Sequence, residues 1–295
     1  MKNKITVVIV TYNGSRWIEK CLTSLKTSNC DFETIIVDNC SSDETVKIAE
    51  KFENIQIIKS EQNLGFGKAN NIGIKKALQN GAEFVFLLNQ DTWVYEDTIA
   101  NLVAVLENKP EFGIISPLHF SADEQTLDEN FNVYYNRKTK KQDLISEVSF
   151  VNAAAWMVSK SCFEKVGYFE PLFSHYGEDR NFCDRIKFHG FKIGITDNSK
   201  ICHDRMIVRN NKKDLLQSQY KILITFLDIN LSLFKTSLKA MKEVVGLPKY
   251  FFKRSGFLFS LKLLLQLKIY YLKTILNLGT IKTIRKNSKL GINGK

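Results

Sequence analysis

The run Phe84-Val85-Phe86-Leu87-Leu88, which is followed at once by Asn89-Gln90-Asp91, decides the fold class of this chain. Five consecutive apolar residues bounded by polar ones predict a short strand that helices cover on both faces, as in a parallel sheet. The run Val7-Val8-Ile9-Val10 has the same character and leads into Thr11-Tyr12-Asn13-Gly14. Ligands bind beyond the carboxyl ends of the strands in an open α/β sheet. The polar residues after each run are therefore the first candidates for a functional site.

Strand-like and helix-like segments alternate on either side of these runs. We predict strands at residues 5–10, 32–37, 55–59 and 84–88, with amphipathic helices between them. One of these helices starts with a capping box formed by Ser41 and Glu44. Such a series predicts an α/β fold with a Rossmann-like, mostly parallel sheet flanked by helices. Residues 121–141 predict a long loop or hairpin, and residues 180–189 a further helix.

Charge is distributed unevenly along the 295 residues, whose net charge is +11. Residues 1–204 carry 23 Lys and Arg against 28 Asp and Glu, whereas residues 205–295 carry 19 against 3. We therefore predict an α/β domain over residues 1–205 and a basic, helical extension over residues 206–295. The asymmetry favours an anionic partner for the extension, such as phospholipid headgroups.

The apolar stretch at residues 247–284 is interrupted by Lys262, Lys268 and Lys273. It never reaches the roughly 18 uncharged apolar residues of a spanning helix, so we expect it to lie on a membrane surface and not to cross it. A basic helical hairpin that packs on the α/β domain, or on a second subunit in a homodimer, is the alternative. Nucleic acid is not an expected partner, because the aromatic residues alternate with Leu and Ile and predict no basic groove.

The six cysteines form no C-x-x-C pair, and no signal peptide precedes the strand that starts at Ile5. Both observations favour reduced thiols in a cytoplasmic protein. A zinc site of Cys183, His189, Cys202 and His203 is disfavoured, because their spacing matches no standard ligand pattern.

Two carboxylates at predicted strand ends suit a nucleotide and its metal. Asp38 offers an acceptor for a base imide or a ribose hydroxyl, and Asp91 offers a hard oxygen ligand for Mg²⁺ or Mn²⁺. Each residue alone is equally typical of a turn or a helix cap, so only the joint pattern indicates a site. A dinucleotide site at Gly65-Phe66-Gly67 is disfavoured, because Asn70 replaces the third glycine and the motif follows the third strand.

The polar segments occur in a specific order along the chain. They are Val10-Thr11-Tyr12-Asn13, Val37-Asp38-Asn39-Cys40-Ser41-Ser42-Asp43, Asn63-Leu64-Gly65-Phe66-Gly67 with Asn70-Asn71-Ile72-Gly73, Asn89-Gln90-Asp91, and Val166-Gly167-Tyr168-Phe169-Glu170 with Tyr176-Gly177-Glu178-Asp179. In this order the chain resembles the family 2 glycosyltransferases, inverting enzymes of the GT-A fold, and especially their rhamnosyltransferase-like members. The resemblance covers roughly residues 5–203.

The resemblance implies a role for each matching residue. Asp179 is then the general base, Glu178 and Trp156 position the acceptor, and Asp91 and His203 hold Mg²⁺ or Mn²⁺. The implied nucleotide-binding residues are Thr11, Tyr12, Asn13, Asp38, Asn63, Gly65, Lys68, Asn70 and Gln90. Without the resemblance, Glu178 and Asp179 would be interpreted as acidic residues in the first turn of a helix.

Two positions depart from the family pattern, since Asn89-x-Asp91 replaces Asp-x-Asp and Asn181 stands where many members have a further Asp. The chain also lacks the Gln-x-x-Arg-Trp signature of processive synthases. We therefore expect transfer of a single hexosyl or deoxyhexosyl unit from a UDP- or dTDP-sugar to a glycan or lipid-linked hydroxyl, in cell-surface polysaccharide biosynthesis. The expected location is the inner face of the cell membrane. A non-catalytic nucleotide-sugar-binding or membrane-scaffold protein is the alternative, and a nucleotidyltransferase is disfavoured.

Overall fold

The computed structural model describes residues 4–138, 140–205 and 210–294, and it contains one mixed sheet with helices on both faces. The strands are β1 (Ile5–Thr11), β2 (Glu33–Asp38), β3 (Ile55–Lys59), β4 (Phe84–Asn89), β5 (Thr92–Val94), β6 (Phe112–Ser121), β7 (Lys140–Gln142), β8 (Ile145–Glu147), β9 (Ala155–Ser159) and β10 (Lys192–His203). The helices are α1 (Ile18–Lys26), α2 (Thr45–Ala49), α3 (Phe66–Gln79), α4 (Thr98–Asn108), α5 (Glu129–Tyr135), α6 (Lys160–Val166), α7 (Glu178–Phe188), α8 (Asn211–Leu227), α9 (Leu233–Leu276) and α10 (Leu278–Leu290).

The sheet has the strand order β3-β2-β1-β4-β9-β6-β10-β8-β7, and β5 pairs with β10. Strands β1 to β4 run parallel, β9 is antiparallel between β4 and β6, and β6 and β10 again follow the direction of β4. The first four predicted strands are confirmed to within one residue at each end. The α/β fold with a mostly parallel central sheet is confirmed as well.

Both faces of the central strands are buried, as their continuous apolar runs predict. Val8 and Leu87 belong to a core cluster on one face of the sheet, and Val7 and Phe86 belong to a second cluster on the other face. Helices α3, α6 and α7 contribute to the first cluster, and α1 and α4 to the second. Because both faces are covered, polar groups at the strand ends are the ones that reach solvent and ligands.

Two local expectations were wrong. Helix α2 starts at Thr45 after Glu44, and Ser41 does not cap it, because the Ser41 hydroxyl accepts a hydrogen bond from the Asn13 amide at 3.0 Å. The polar segment 121–141 contains helix α5, which starts where the Asp128 carboxylate accepts a hydrogen bond from the Phe131 amide. Both differences depend on the partner of one polar side chain. Ser41 bonds to Asn13 and does not cap α2, whereas Asp128 caps α5.

The C-terminal part is a helical layer that packs on the α/β part. Helix α9 is interrupted at Gly256, whose φ of 80° and ψ of 178° are not helical. The hydroxyls of Ser237 and Tyr271 lie 2.8 Å apart, whereas 34 positions of straight helix would separate them by about 50 Å. The two halves of α9 therefore run back along each other as a hairpin. No helix among residues 4–138, 140–205 and 210–294 is long and apolar enough to cross a membrane.

The end of the chain is tied to the α/β part by hydrogen bonds. The Tyr168 amide donates to the Asn293 carbonyl at 2.7 Å, and the Asn293 side chain donates to the Glu170 carboxylate. The buried Arg285 donates to the carbonyls of Phe226, Asp228 and Leu231. The extension is thus anchored at its far end and not only where it begins.

Candidate active site

A cavity of about 670 Å³ lies beyond the carboxyl ends of β4 and β10, between the start of α7 and the helical layer. Asp91, Glu178, Asp179 and His203 all line it. The structure therefore brings together four of the predicted site residues, which lie up to 112 positions apart in the sequence.

Asp91 and His203 form a pair on one wall of this cavity. Asp91 follows β4, and His203 is the last residue of β10, where its backbone pairs with Thr92 of β5. The His203 Nε2 atom lies 3.4 Å from an Asp91 carboxylate oxygen, and the amide of Asp204 donates to the Asp91 carbonyl at 2.9 Å. Two backbone connections thus hold the pair in register.

The donor set of this pair fits a divalent metal ion of the Mg²⁺ or Mn²⁺ type. One carboxylate oxygen and one imidazole nitrogen are common ligands, and Mg²⁺ needs few of them when phosphate oxygens and waters complete its shell. The imidazole Nδ1 of His203 is buried and has no hydrogen-bond partner in the described part of the chain. Within that part, no group of three or more His, Cys, Asp and Glu side chains forms a complete cage, so a bound nucleotide would have to complete the coordination.

Glu178 and Asp179 occupy the first turn of α7, directly after Gly177. Gly177 has a φ of 93°, which turns the chain sharply into the helix. The Asp179 carboxylate accepts a hydrogen bond from the Arg180 amide at 2.7 Å. Burial raises the pKa of Asp179, although this hydrogen bond and the Arg180 charge oppose the increase. A carboxylate that is more basic than usual and lies in a cavity is suited to accept a proton.

Glu178 is more deeply buried than Asp179 and differs from it chemically. Its Oε2 atom is buried without a hydrogen-bond partner among the described residues, and it packs beside α3 near Gly67. Burial, together with the charge of Asp179, raises the pKa of Glu178 to about 8. At neutral pH Glu178 is therefore largely protonated and is a hydrogen-bond donor. Two adjacent carboxyl groups in different environments can take different roles.

The opposite wall of the cavity is formed by residues that the sequence analysis did not identify. Arg205 follows β10, Lys213 and Lys221 lie on α8, and Tyr250 and Arg254 lie near the end of the first half of α9. Most of these residues lie on helices, whereas the predicted site residues were chosen mainly because they follow strands. Only the high density of lysine and arginine in the extension indicated an anionic ligand.

The predicted nucleotide-binding residues form a hydrogen-bonded network beside the cavity. The Asp38 carboxylate accepts from the Thr11 hydroxyl and from the Ser41 amide, each at 3.0 Å. The Gln90 side chain accepts from the Tyr12 amide at 3.0 Å and donates to the Tyr12 carbonyl at 3.1 Å. The loops after β1, β2 and β4 are therefore locked to one another. The Tyr12 side chain remains 47% exposed, so its ring is accessible to a ligand.

The other predicted nucleotide-binding residues are divided between surface and interior. Lys68 is exposed on α3, and the side-chain Oδ1 of Asn63 accepts from the Asn39 side chain and the Gly65 amide. The Asn13 side chain accepts from the Ser42 amide at 2.8 Å, which joins the loops after β1 and β2.

The position of Asn70 does not agree with its predicted role in nucleotide binding. It is 2% exposed on α3, and its side chain donates to the Phe66 carbonyl of the same helix at 3.0 Å. Its position is that of a structural residue.

Gly65 precedes α3 with a φ of 81°, and a Cβ atom there would lie 1.6 Å from the Ser174 carbonyl oxygen. The segment that leads into α7 therefore packs directly on the start of α3. Only glycine allows this contact.

The position of Trp156 does not agree with its predicted role in acceptor binding. It lies on β9 opposite Leu87 of β4 and is fully buried in a cluster with Phe169 and Phe182. A side chain without exposed surface cannot contact an acceptor, so Trp156 supports the site from below. The burial of Trp156 could have been predicted from the sequence, because residues 148–158 are mostly apolar and alternate residues of a strand face the core.

A model of the family described as "Glycosyl transferase family 2" matches residues 6–167, which is more than half of the chain. The chain belongs to glycosyltransferase family 2. It is 29% identical over 210 residues to the dTDP-rhamnosyl transferase RfbF of Shigella flexneri, covering 69% of this chain and 70% of that one. The enzyme is thus a glycosyltransferase of glycan or polysaccharide biosynthesis, as the resemblance predicted.

Solved structures of low sequence identity share the fold. Staphylococcus aureus TarS 1-349 in complex with UDP-GlcNAc has a TM-score of 0.60 and 18% identity, covering 85% of this chain and 73% of that one. The mannosyltransferase PcManGT of Pyrobaculum calidifontis, in complex with GDP-Man and Mn²⁺, has a TM-score of 0.58 and 15% identity, covering 96% and 85%. These two proteins therefore support the GT-A fold of this chain.

Proposed function

We propose that this glycosyltransferase moves one hexosyl or deoxyhexosyl unit from a UDP- or dTDP-sugar to a hydroxyl of a glycan or lipid-linked acceptor, with inversion. The observation that carries the proposal is the position of Asp179, a carboxylate with a raised pKa, in the same cavity as the Asp91–His203 pair. The similarity to a dTDP-rhamnosyl transferase favours a deoxyhexose on dTDP, and the structure of TarS in complex with UDP-GlcNAc supports a UDP-sugar as the other candidate donor.

Each part of the site has a role in this reaction. Asp179 accepts the proton of the acceptor hydroxyl as that oxygen attacks the sugar, and a single displacement inverts the anomeric carbon. Glu178, protonated at neutral pH, donates a hydrogen bond that orients the acceptor. Asp91 and His203 would hold Mg²⁺ or Mn²⁺, which when bound supplies positive charge beside the leaving diphosphate.

The network at the loops after β1, β2 and β4 is proposed to bind the nucleoside. The exposed ring of Tyr12 stacks on the base. Asp38 uses one acceptor position of each oxygen inside the protein, and an ionised carboxylate has about four such positions. It therefore retains capacity for a base N–H, and because Asp38 is 3% exposed, this contact requires the loop that covers it to move when the nucleotide binds. Lys68 lies on α3 where it can attract the diphosphate.

The first test of this proposal needs no knowledge of the acceptor. Binding of UDP, dTDP, GDP and CMP to the purified chain is measured by calorimetry with and without Mn²⁺. We expect UDP or dTDP to bind and Mn²⁺ to strengthen the binding. Failure of all four nucleotides to bind to the folded chain would reject the proposed donor class.

The second test addresses the general base. Asp179→Asn is expected to lower transfer, or the slower release of nucleoside diphosphate to water, by about 10²–10⁴-fold. Donor affinity should change little, because a general base acts in the transition state. Asp184→Asn is the matched control, since Asp184 also lies on α7 but does not line the cavity. Equal activity of both variants would contradict the role of Asp179.

We also propose a location at the inner face of the cell membrane. The basic extension supplies the attraction to an anionic membrane surface.

A further inference from the structure

Each half of the α9 hairpin carries a row of exposed apolar side chains. The first row consists of Phe234, Leu238, Met241, Val245 and Phe252, and the second of Leu258, Leu261, Leu265, Ile269, Leu272 and Leu276. At 100° per residue, each row is a stripe about 60–80° wide. Leu258 and Leu276 are 81% and 85% exposed. We call these eleven residues the outer apolar face.

The outer apolar face is not the face by which the hairpin packs on the protein. Ala240 of the first half and Leu263 and Leu267 of the second are buried in a cluster with Ile222 and Phe226 of α8. Because the two halves run along each other, the two rows lie side by side on the surface that the rest of the chain leaves uncovered. A contiguous exposed apolar surface of this kind is typical of a docking site.

Lysines surround the outer apolar face. All eight lysines of α9 are exposed, and they are Lys235, Lys239, Lys242, Lys249, Lys253, Lys262, Lys268 and Lys273. In the second half, Lys262 and Lys273 lie on one side of the apolar row and Lys268 lies on the other, at about 100° per residue. The sole acidic residue of α9 is Glu243, which accepts hydrogen bonds from Thr225. The charge around the face is therefore uniformly positive.

We propose that the outer apolar face docks on an anionic lipid bilayer, with the hairpin lying parallel to the membrane plane. An apolar stripe flanked by lysines matches such a surface, because the leucines enter the acyl boundary while the ammonium groups reach the phosphates. A second copy of the chain is a poorer occupant. A symmetric contact through this face would bring two sets of eight lysines together without acidic partners.

The docked hairpin also determines where the acceptor enters. Tyr250, Phe251 and Arg254 of the first half line the active-site cavity, and Phe252 between them belongs to the outer apolar face. The wall of the cavity is thus continuous with the surface that contacts lipid. On the basis of the proposed transfer activity, this position assigns the acceptor to a lipid-linked sugar that reaches the cavity from the membrane.

Flotation of the full chain with lipid vesicles tests the docking surface. Vesicles of phosphatidylcholine are compared with vesicles that also contain phosphatidylglycerol. We expect binding only to the second kind, with weakening as salt increases. A variant with Lys262→Gln, Lys268→Gln and Lys273→Gln should lose about 100-fold in affinity, since each lysine contributes about fivefold near the surface.

The apolar part is tested by Leu258→Gln, Leu265→Gln and Leu272→Gln together, which should reduce vesicle binding by more than about 100-fold. The matched control is Val133→Gln with Leu144→Gln, since both are exposed apolar side chains of the α/β part. Calorimetric binding of UDP or dTDP to each variant shows that it is folded. It also separates a failure of membrane docking from a failure of the proposed function.

Three results would overturn the docking proposal, two in flotation and one in light scattering. One is that the unaltered chain binds UDP or dTDP but does not float with anionic vesicles at low salt. Another is that the leucine variant floats as well as the unaltered chain. If light scattering shows a dimer that the leucine substitutions convert to a monomer, the face is an interface between two copies and not a membrane contact.

Discussion

Replacing Glu178 with Gln is expected to stabilise the protein at neutral pH. A glutamate whose pKa is raised from 4.5 to about 8 by burial holds its proton in the folded chain and loses it in the unfolded chain. Stability therefore falls as pH rises through this window. At pH 7 the difference amounts to about 3 kcal/mol, at about 1.4 kcal/mol for each pH unit above 4.5. Gln keeps the shape and the donor but has no proton to lose.

Urea denaturation of both proteins at pH 4, 5.5, 7 and 8.5 measures this effect. The stability of Glu178→Gln relative to the unaltered chain should increase by about 3 kcal/mol between pH 4 and pH 7 and level off near pH 8. Asp179 is present in both proteins, so most of its own titration cancels. The exposed Glu53→Gln serves as the control and should show no such trend. A pH-independent difference for Glu178→Gln would refute the buried, protonated glutamate.

Three further substitutions test other parts of the structure. Trp156→Phe should lower the free energy of unfolding, measured in urea, by about 1–3 kcal/mol, because Trp156 is a core residue. The KM for the acceptor should not change, and a selective rise in that KM would support the predicted binding role. Gly65→Ala should lower kcat/KM and the urea concentration at the midpoint of unfolding, because the added Cβ atom would collide with the Ser174 carbonyl. Unchanged values would show that the segment before α7 moves freely. Asp91→Asn should weaken the Mn²⁺ enhancement of nucleotide binding about 10-fold or more in calorimetry, and an undiminished enhancement would place the metal elsewhere.

The first four strands could be predicted from the sequence because they carry their own signal, whereas β5 to β10 were not predicted as strands. A short run such as Phe84–Leu88 is apolar at every position, which is typical of a strand that helices cover on both faces. The polar residues that follow it in the sequence mark the end of the strand. The same logic located Asp91, which lies where β4 ends. It could not distinguish Asn70, whose polar side chain is satisfied inside its own helix. Residue type does not reveal whether an amide binds a ligand or a backbone carbonyl.

The path of the extension was less predictable, because its reversal depends on one residue. Gly256 adopts a positive φ inside a sequence that is otherwise helical in pattern. Ser255-Gly256 is a dipeptide that marks turns, but the apolar, helix-like sequence on both sides of it masked this signal. From the sequence alone, a helix on a membrane surface and a packed hairpin were therefore both expected. The structure shows a hairpin that packs on α8 by one face and leaves an apolar face uncovered, and contact of that face with a membrane remains a proposal.

The two sides of the cavity thus arise from different physical constraints. The side that we propose binds the donor is built from strand ends, whose positions the sheet fixes through backbone pairing of β4 with β1 and β9 and of β10 with β5 and β6. The side that we propose binds the acceptor is built from helices. Apolar packing such as that of Phe173 on α8, and hydrogen bonds such as that from the Tyr168 amide to the Asn293 carbonyl, hold them on the α/β part. A helical wall can change without disturbing the sheet, so acceptor preference can vary among chains that retain the same strand-end residues. In this chain, the residues that extend that wall toward the surface are apolar and lysine-rich, which is the composition that favours an acceptor held in a membrane.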